Sequence, residues 1–431
     1  MTANLLVRDS RRSGRVPACW PGRLLPCGLA ESPSLGEHLA RHGSLPDGRR
    51  KESWRLATSA AIREAGLVGR GGAAFPTGRK LDAVRSGRGR AVVIANGTEG
   101  EPASRKDRVL LSRAPHLVLD GASVAADLVS AAEVVAVVHP DARRAVDAAV
   151  AERGAAGVDR VPIRVVTAAD RFVAGEASAV VNWVQRGTPV PRGKPPRMSE
   201  HGLSGRPTLV QNVETLAHMA LIARHGADWY RSLGTAEEPG STLVTLLGAV
   251  ARPGVYEVEI GRAVHEVIAL AGGATDELQA LLIGGYAGSW VPAGSALELP
   301  FSAHGLGVGL GAGVVAALPS DVCGMVETAR LTRYLASQSA GQCGPCVFGL
   351  PAIADQVDAL AAGRPGTFGD LERWLEEITG RGACGHPDGV ARMVQSALRV
   401  FAGEVSDHRM GRCRVSEAAR VMPWPIPDVV P

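Results

Sequence analysis

The sequence predicts a multidomain α/β protein: a unit with a parallel-type sheet first, a small β-rich unit next, and a helical unit last. Three observations predict this. Short apolar runs alternate with amphipathic helical stretches through the first half, as in a sheet built from strand–helix repeats. From Thr242 the texture changes to closely spaced apolar runs broken by Pro-Gly and Gly-Gly pairs. From Met325 apolar residues recur at three-to-four spacing, the period of packed helices. A length of 431 residues suits two to four domains.

Residues 1–52 are rich in Arg, Pro, Gly and Ser with little periodicity, and read as a poorly ordered or peripheral arm. The net charge of +4 sits there. Residues 1–51 hold nine Lys/Arg and four Asp/Glu, which leaves 38 basic and 39 acidic residues in the body. A near-neutral body lacks the basic face that nucleic-acid binding requires.

The first folded unit is expected over 53–238. Helical pattern runs from Trp54 to Ala65. A glycine-rich stretch follows, Gly66 to Lys80, with five glycines, two arginines and a lysine around one aromatic, Phe75. Glycine lets backbone approach a ligand closely. The N–H groups of such a run, with flanking cations, suit a phosphate; alone, the run reads equally as a flexible surface loop. AVVIAN (Ala91 to Asn96) is a buried-type strand ending in the turn Asn96-Gly97. Pro115 to Ala132 is helical, and Val134 to Val138 and Ile163 to Ala168 are further strands. A second strand-to-helix junction lies at Phe172 to Val181, where Gly175-Glu176 opens an Ala/Val helix. Both glycine sites then fall at the carboxyl ends of strands, where open α/β sheets bind ligands.

The β-rich unit is expected over 239–320. TLVTLLGAV and ARPGVYEVEIG read as a hairpin with Pro253-Gly254 at its turn, and ALLIGGYAGSWVP as another strand pair. The helical unit spans 321–408, and 409–431 reads as a loose, Pro-rich tail. No apolar run reaches 18 residues, and the longest candidate, Gly305 to Leu318, is interrupted by five glycines, so no membrane span is expected. The pair Arg11-Arg12 has no long apolar region behind it, which argues against a secretory or twin-arginine signal. A cytoplasmic location follows as the expectation, peripheral to a membrane complex at most. Its seven cysteines should then be reduced thiols or metal ligands.

Cys343-Gly-Pro-Cys346 is a close pair, and Cys384 follows 38 residues after Cys346. A pair plus a distant third can converge on one metal centre in a helical domain. Spacing alone leaves three readings open: an iron–sulfur cluster, a zinc site short of its usual four ligands, and a redox dithiol. Cys19, Cys27 and Cys413 have no spacing logic and read as bystanders.

Four segments together resemble the flavin-bearing, NADH-oxidising subunit of respiratory complex I and the related diaphorase subunits of NAD-linked hydrogenases and formate dehydrogenases. They are GRGGAAFPTGRK at 69, ANGTEGEPASRKDR at 95, VAGEASAVVNWVQRGTPVPRGKPP at 173 and GRPTLVQNVETL at 205. SAGQCGPC at 339 and ACG at 383 are similar to the family's cluster motif. The resemblance runs from about residue 55 to 405, in the family's order. It implies a Rossmann-like FMN domain, a β-grasp-like (SLBB-type) middle domain and a C-terminal helical iron–sulfur bundle.

The resemblance implies roles residue by residue. Gly69, Arg70, Gly71, Gly72 and Lys80 would hold the flavin and its phosphate. Asn96 and Glu99 would lie beside the flavin, Gly175 and Glu176 on a second flavin loop, and Asn212 on a third. Phe75 and Glu101 match positions that receive the nicotinamide nucleotide. Cys343, Cys346 and Cys384 would ligate a [4Fe–4S] cluster. No residue is expected to act as a catalytic acid or base, because bound FMN takes the hydride from NAD(H) and passes electrons singly to the cluster. The implied function is an NADH dehydrogenase electron-input subunit serving a ferredoxin-like carrier or another redox subunit. A scaffold subunit without NADH turnover and a zinc-stapled flavoprotein are the alternatives.

Three positions depart from the family. The first cluster cysteine is replaced by Ala340, which leaves three thiolates. The fourth ligand would then be His386, Ser339, Asp388, Cys413, a partner group or a small molecule, unless the cluster is [3Fe–4S] or lost. His386 reads as a surface histidine in the turn Gly385-His-Pro-Asp-Gly. The second flavin loop carries Glu176-Ala177 where the family has paired glutamates. Arg197 replaces an aromatic after Lys-Pro-Pro, which leaves NADH against NADPH open, since an arginine can pair with a 2′-phosphate.

Overall fold

The computed structural model describes residues 22–25, 32–46, 51–193, 197–364, 368–413 and 415. The rest of the expected arm and tail lies outside the described residues. The described part of the arm is docked. Helix α1 (Leu35–His42) starts with a reciprocal cap between Ser34 and Glu37 and buries Leu35 and His38. His38 Nε2 hydrogen-bonds Asp120 Oδ2 at 2.7 Å. Upstream, the buried Leu24 donates its N–H to Glu257 Oε2 at 2.9 Å.

The first unit contains, in order, α2 (Glu52–Glu64), α3 (Thr77–Arg85), β1 (Val92–Gly97), α4 (Lys106–Arg113), α5 (Pro115–Leu128), β2 (Glu133–Val138), α6 (Arg143–Ala156), β3 (Ile163–Thr167), α7 (Ala177–Arg186), β4 (Thr208–Asn212) and α8 (Val213–Arg231). The strands form a fully parallel sheet in the order β3-β2-β1-β4. Val92, Val93, Ile94 and Ala95 are buried on both faces, as a parallel sheet covered by helices requires. Helix α5 packs so closely on α8 that a Cβ at Gly121 would sit 1.8 Å from the Leu216 carbonyl oxygen. The chain steps outward from β1 to β3, then returns to β4 on the other side of β1. The carboxyl edge between β1 and β4 is therefore the topological switch point.

The second unit adds β5 (Ser241–Gly248), β6 (Gly254–Glu259), α9 (Val264–Leu270), β7 (Leu278–Ile283), β8 (Ser289–Pro292), the short turns α10 (Ala293–Ala296) and α11 (Ala303–Leu306), and β9 (Val314–Pro319). Its sheet runs β6-β5-β9-β7-β8, with β5 and β9 parallel and every other pair antiparallel. Two adjacent parallel strands flanked by hairpins, with a helix laid across, give the β-grasp arrangement. Pro253 precedes β6 in the first hairpin. Gly284 and Gly285, both at positive φ, turn the chain from β7 towards β8.

Helices α12 (Gly324–Ser337), α13 (Leu350–Ala361), α14 (Phe368–Ile378), α15 (His386–Val400) and α16 (Ala402–Arg409) complete the chain. They share one core with the back of β7 and β8, where Trp290 meets Phe401 edge-on at 5.1 Å. Cys346 sits on a π-helical turn, Pro345–Gly349, between α12 and α13; such turns recur at functional sites. No helix among the described residues is long and apolar enough to cross a membrane.

Candidate functional site

A cleft of about 430 Å³ opens at the switch point, and all three units line it. The first unit supplies Arg70, Gly71, Gly72, Asn96, Glu99, Glu101, Lys106, Phe172, Gly175, Glu176 and Asn212. The β-grasp unit supplies Gly284 and Gly311. The helical unit closes the far side with Cys384, His386 and Arg392. The volume suits a single cofactor-sized ligand.

The sequence-derived residues divide into those at this cleft and those outside its lining. At Gly71 an added Cβ would press on Asn212 at 3.3 Å, and Gly72 (φ 105°) lies against Gly311. These walls are bare backbone, the surface on which a flat ring system can lie. Arg70 donates its backbone N–H to Thr215 Oγ1 at 2.9 Å and its Nη2 to the Tyr230 hydroxyl at 3.0 Å. Its buried Nε has no hydrogen-bond partner, a donor left over for an anion. Gly69 is not among the lining residues; its N–H closes the loop on the Phe75 carbonyl at 2.9 Å. Phe75 is 49% exposed, with Arg79 5.8 Å from its ring, and also lies outside the lining. Lys80 lies outside it too. Its Nζ donates to the Val210 carbonyl, and burial lowers the ammonium pKa to about 8 against the raising charge of Glu176.

The polar residues act as struts between loops and helix starts. Asn96 Nδ2 donates to the Gly175 carbonyl at 2.9 Å, tying the end of β1 to the loop after β3. Glu176 caps α7, accepting from the backbone N–H of Ser178 and Ala179 at 2.9 and 3.0 Å. Asn212 caps α8 through the Glu214 N–H at 2.9 Å and donates to Asp107 Oδ2 at 2.6 Å. Glu99, at a strained φ of 49°, accepts from the N–H groups of Asp107 and Arg108 at the start of α4, and from Ser104 and the Arg108 guanidinium. A carboxylate at a helix start is stabilised by the helix dipole. Glu101 is almost fully buried and accepts from the N–H of Ala103 at 3.2 Å and of Tyr286 at 3.0 Å.

Sequence reasoning missed Lys106. Its ammonium is buried between Asp107 (2.6 Å) and Glu214 (2.9 Å) on the cleft wall. In the sequence it stands in a charge run, Arg105-Lys-Asp-Arg108, that reads as a solvated face.

Cys343, Cys346 and Cys384 are the three cysteines that the sequence assigns to a cluster. The backbone N–H groups of Ala383, Ala340 and His386 favour the thiolates of Cys343, Cys346 and Cys384 in turn. Such donors stabilise cluster thiolates. Burial opposes the Cys343 thiolate, yet the N–H groups of Ala383 and Cys346 outweigh it and lower its pKa. Cys346 is pushed up to about 11 by burial and by Cys343. Cys343, Cys346 and Cys384 do not gather within 4.8 Å of one another, the spread of one metal ion's ligands; this disfavours a zinc staple built on them.

His386 corrects an expectation. It is buried, not at the surface. It opens α15, its Nε2 bonds the Leu335 carbonyl at 2.8 Å, and its buried Nδ1 has no hydrogen-bond partner. The apolar contact with Phe172, 5.3 Å between rings, explains the burial. Of the other candidate fourth ligands, Asp388 accepts the Gly380 N–H at 2.8 Å, and Cys413 lies beside Cys323 and His408.

Comparison with known proteins gives three family matches along the chain. Residues 62–221 match the Nuo51 FMN-binding domain, 243–285 the SLBB domain, and 327–408 the NADH-ubiquinone oxidoreductase-F iron–sulfur binding region. The F subunit of NADH-quinone oxidoreductase from Streptomyces coelicolor is 30% identical over 393 residues, covering 85% of this chain and 86% of that protein. Its counterpart in Salmonella typhimurium is 32% identical over 408 residues, covering 86% and 88%. Among solved structures, NAD+-reducing [NiFe]-hydrogenase in the air-oxidized state superposes with a TM-score of 0.78 at 30% identity. That match covers 88% of this chain and 65% of the hydrogenase chain.

Proposed function

The chain belongs to the family of NADH-quinone oxidoreductase F subunits, and from that premise we propose how its cleft and its cysteine turn divide the work of an NADH-oxidising, electron-input subunit. The protein depends on FMN and on an iron–sulfur centre. Bound FMN supplies the conversion between two-electron nicotinamide chemistry and one-electron transfer.

The observation that carries the reading is that one cleft has the switch-point loops on one wall and Cys384 on the other. Gly71, Gly72, Gly175 and Gly311 present backbone to a flat ligand. The spare Arg70 Nε favours a phosphate. Asn96 and Asn212 hold these loops in register. Glu101 stays rigid through its two backbone donors and shapes the side of the cleft facing the β-grasp unit. Phe75, exposed on the loop beside this cleft, is available to cover a nicotinamide ring. Cys343, Cys346 and Cys384 hold the cluster at three corners, and the buried Nδ1 of His386 is the best-supported protein candidate for the fourth.

Relatives with these domains are subunits of multi-subunit redox enzymes. The electron acceptor of this chain is proposed to be a ferredoxin-like carrier or another redox subunit. It would dock where Val347 and Phe348, 46% and 67% exposed, follow the buried Cys346. The test is EPR on anaerobically reconstituted protein frozen with and without NADH. A reduced [4Fe–4S] signal appearing on NADH addition is expected. Protein that retains FMN but yields no NADH-dependent iron signal would overturn the relay.

A further inference from the structure

A second set of metal-type ligands lies at the other end of the helical unit. Cys323 is the N-cap of α12 and is fully buried. His408 is buried in the last turn of α16, and Cys413 follows on the turn after it. One ligand atom from each of these three lies within 4.8 Å of the others, and among the described residues no other group of three such side chains does so. Cys323 Sγ is 3.2 Å from His408 Nε2 and 3.3 Å from Glu404 Oε2. We propose that Cys323, His408 and Cys413 form a zinc site separate from the cluster, with water as the fourth ligand.

The donor set and the distances both favour zinc. Two thiolates, an imidazole and a water suit tetrahedral zinc, whose bonds of about 2.0–2.3 Å place ligand atoms roughly 3.3–3.8 Å apart. The 3.2 Å between Cys323 Sγ and His408 Nε2 is close to that range, and Cys413, within 4.8 Å of both, needs a closure of about 1 Å at most. The frame is rigid. Glu404 Oε2 also accepts the Met325 N–H at 2.9 Å, which fixes the carboxylate over the start of α12. The backbone bonds Gly411 N–H to His408 and Arg412 N–H to Asp407 fold the chain back after α16, bringing Cys413 beside His408.

The two thiol sets are electrostatically distinct. Cys323 responds to Glu404 and Cys413, whereas Cys346 responds to Cys343 and Cys384. Binding displaces the two thiol protons, leaves His408 neutral, and joins the end of the helical unit to the start of α12.

The test is metal analysis and zinc-edge X-ray absorption on the purified full chain. About one zinc per chain with a shell of two sulfurs and two light atoms is expected. The zinc should persist when Cys343, Cys346 and Cys384 are all replaced by Ser, which removes the cluster, and should fall to background in Cys413→Ser and His408→Ala. Should those variants fold poorly, cobalt substitution of the wild type provides the second readout, with tetrahedral dithiolate bands expected. Zinc that survives Cys413→Ser, zinc lost with the cluster cysteines, or a Cys323–Cys413 disulfide in the purified protein would each overturn the proposal.

Discussion

The carboxylate of Glu101 accepts the backbone N–H of Tyr286 at 3.0 Å, joining the loop after β1 to the turn after β7. The approach is tight: a Cβ at Gly285 would lie 2.5 Å from Glu101 Oε2. Burial, with the nearby charge of Glu99, pushes this carboxyl up to about 7. The folded protein therefore binds a proton at this site between the ordinary carboxylate range and neutrality, where the unfolded chain does not. Stability from this group is complete at low pH and is lost as pH rises through that window. Glu101→Gln carries no such dependence. From about pH 5 to about pH 8, wild type should lose stability relative to Glu101→Gln by up to about 3 kcal/mol. Denaturant midpoints at the two pH values measure this, and parallel profiles would contradict the assignment.

Lys106 is held between Asp107 and Glu214, and Glu214 also accepts from Thr242 and from the Leu243 N–H. Lys106→Met removes the cation and leaves two buried carboxylates. The expected cost is about 3–5 kcal/mol, as for breaking one side of a buried ion pair. Asp107 also holds Asn212, so flavin retention should weaken in the same variant, read as flavin fluorescence released on gel filtration. A loss of stability below about 1 kcal/mol would show that solvent reaches the site.

Much of this is legible in the sequence, for reasons that differ by region. AVVIAN reads as a two-faced buried strand because its run from Ala91 to Ala95 is wholly apolar. The Pro253-Gly254 hairpin is readable because turn chemistry is local. Gly175 and Glu176 are readable because they open a helix at the carboxyl end of a strand, where α/β sheets face ligands, whereas Asn96 and Asn212 are placed in the cleft by the family resemblance. What stays hidden depends on distant convergence. Lys106 and Glu214 are far apart in the chain, and nothing local marks either as buried. His386 lies in a turn-forming sequence that favours the surface, until Phe172 covers it. Cys323 and His408 are 85 residues apart, so Cys413 looks like a bystander until the fold brings the three together. The capping pair Ser34 and Glu37 is a readable signal for α1 inside a stretch whose composition reads as unstructured.

Ala340 and His386 should compensate for one another. The Ala340 N–H favours the Cys346 thiolate, which places position 340 near the proposed cluster thiols. The Nε2 of His386 is committed to the Leu335 carbonyl, which orients its Nδ1 lone pair as an outer hydrogen bond orients a ligating histidine. In wild type, His386→Ala should lower cluster occupancy or convert the signal to [3Fe–4S], by about 10-fold or more in [4Fe–4S] content. In an Ala340→Cys background the same change should have little effect, because a thiolate fills the corner. Iron and sulfide content with EPR decides this. Equal losses in both backgrounds would assign His386 a packing role only.

Phe348 is 67% exposed on the π-helical turn that carries Cys346, beside Val347 at 46%. Large apolar side chains exposed together are unusual on a solvated surface and mark contact sites. Their own packing contributes little to folding, so Phe348→Asp should leave the thermal midpoint nearly unchanged. It should also leave NADH-dependent reduction of the cluster intact, because the cleft proposed to hold the flavin is lined by Cys384 and not by Phe348. Electron delivery to a ferredoxin-type carrier should fall about tenfold, the effect of losing roughly 1.4 kcal/mol at an interface. Stopped-flow reduction of the carrier, compared with cluster EPR in the same preparation, separates the two steps. Unchanged carrier reduction would move electron exit to another face of the helical unit.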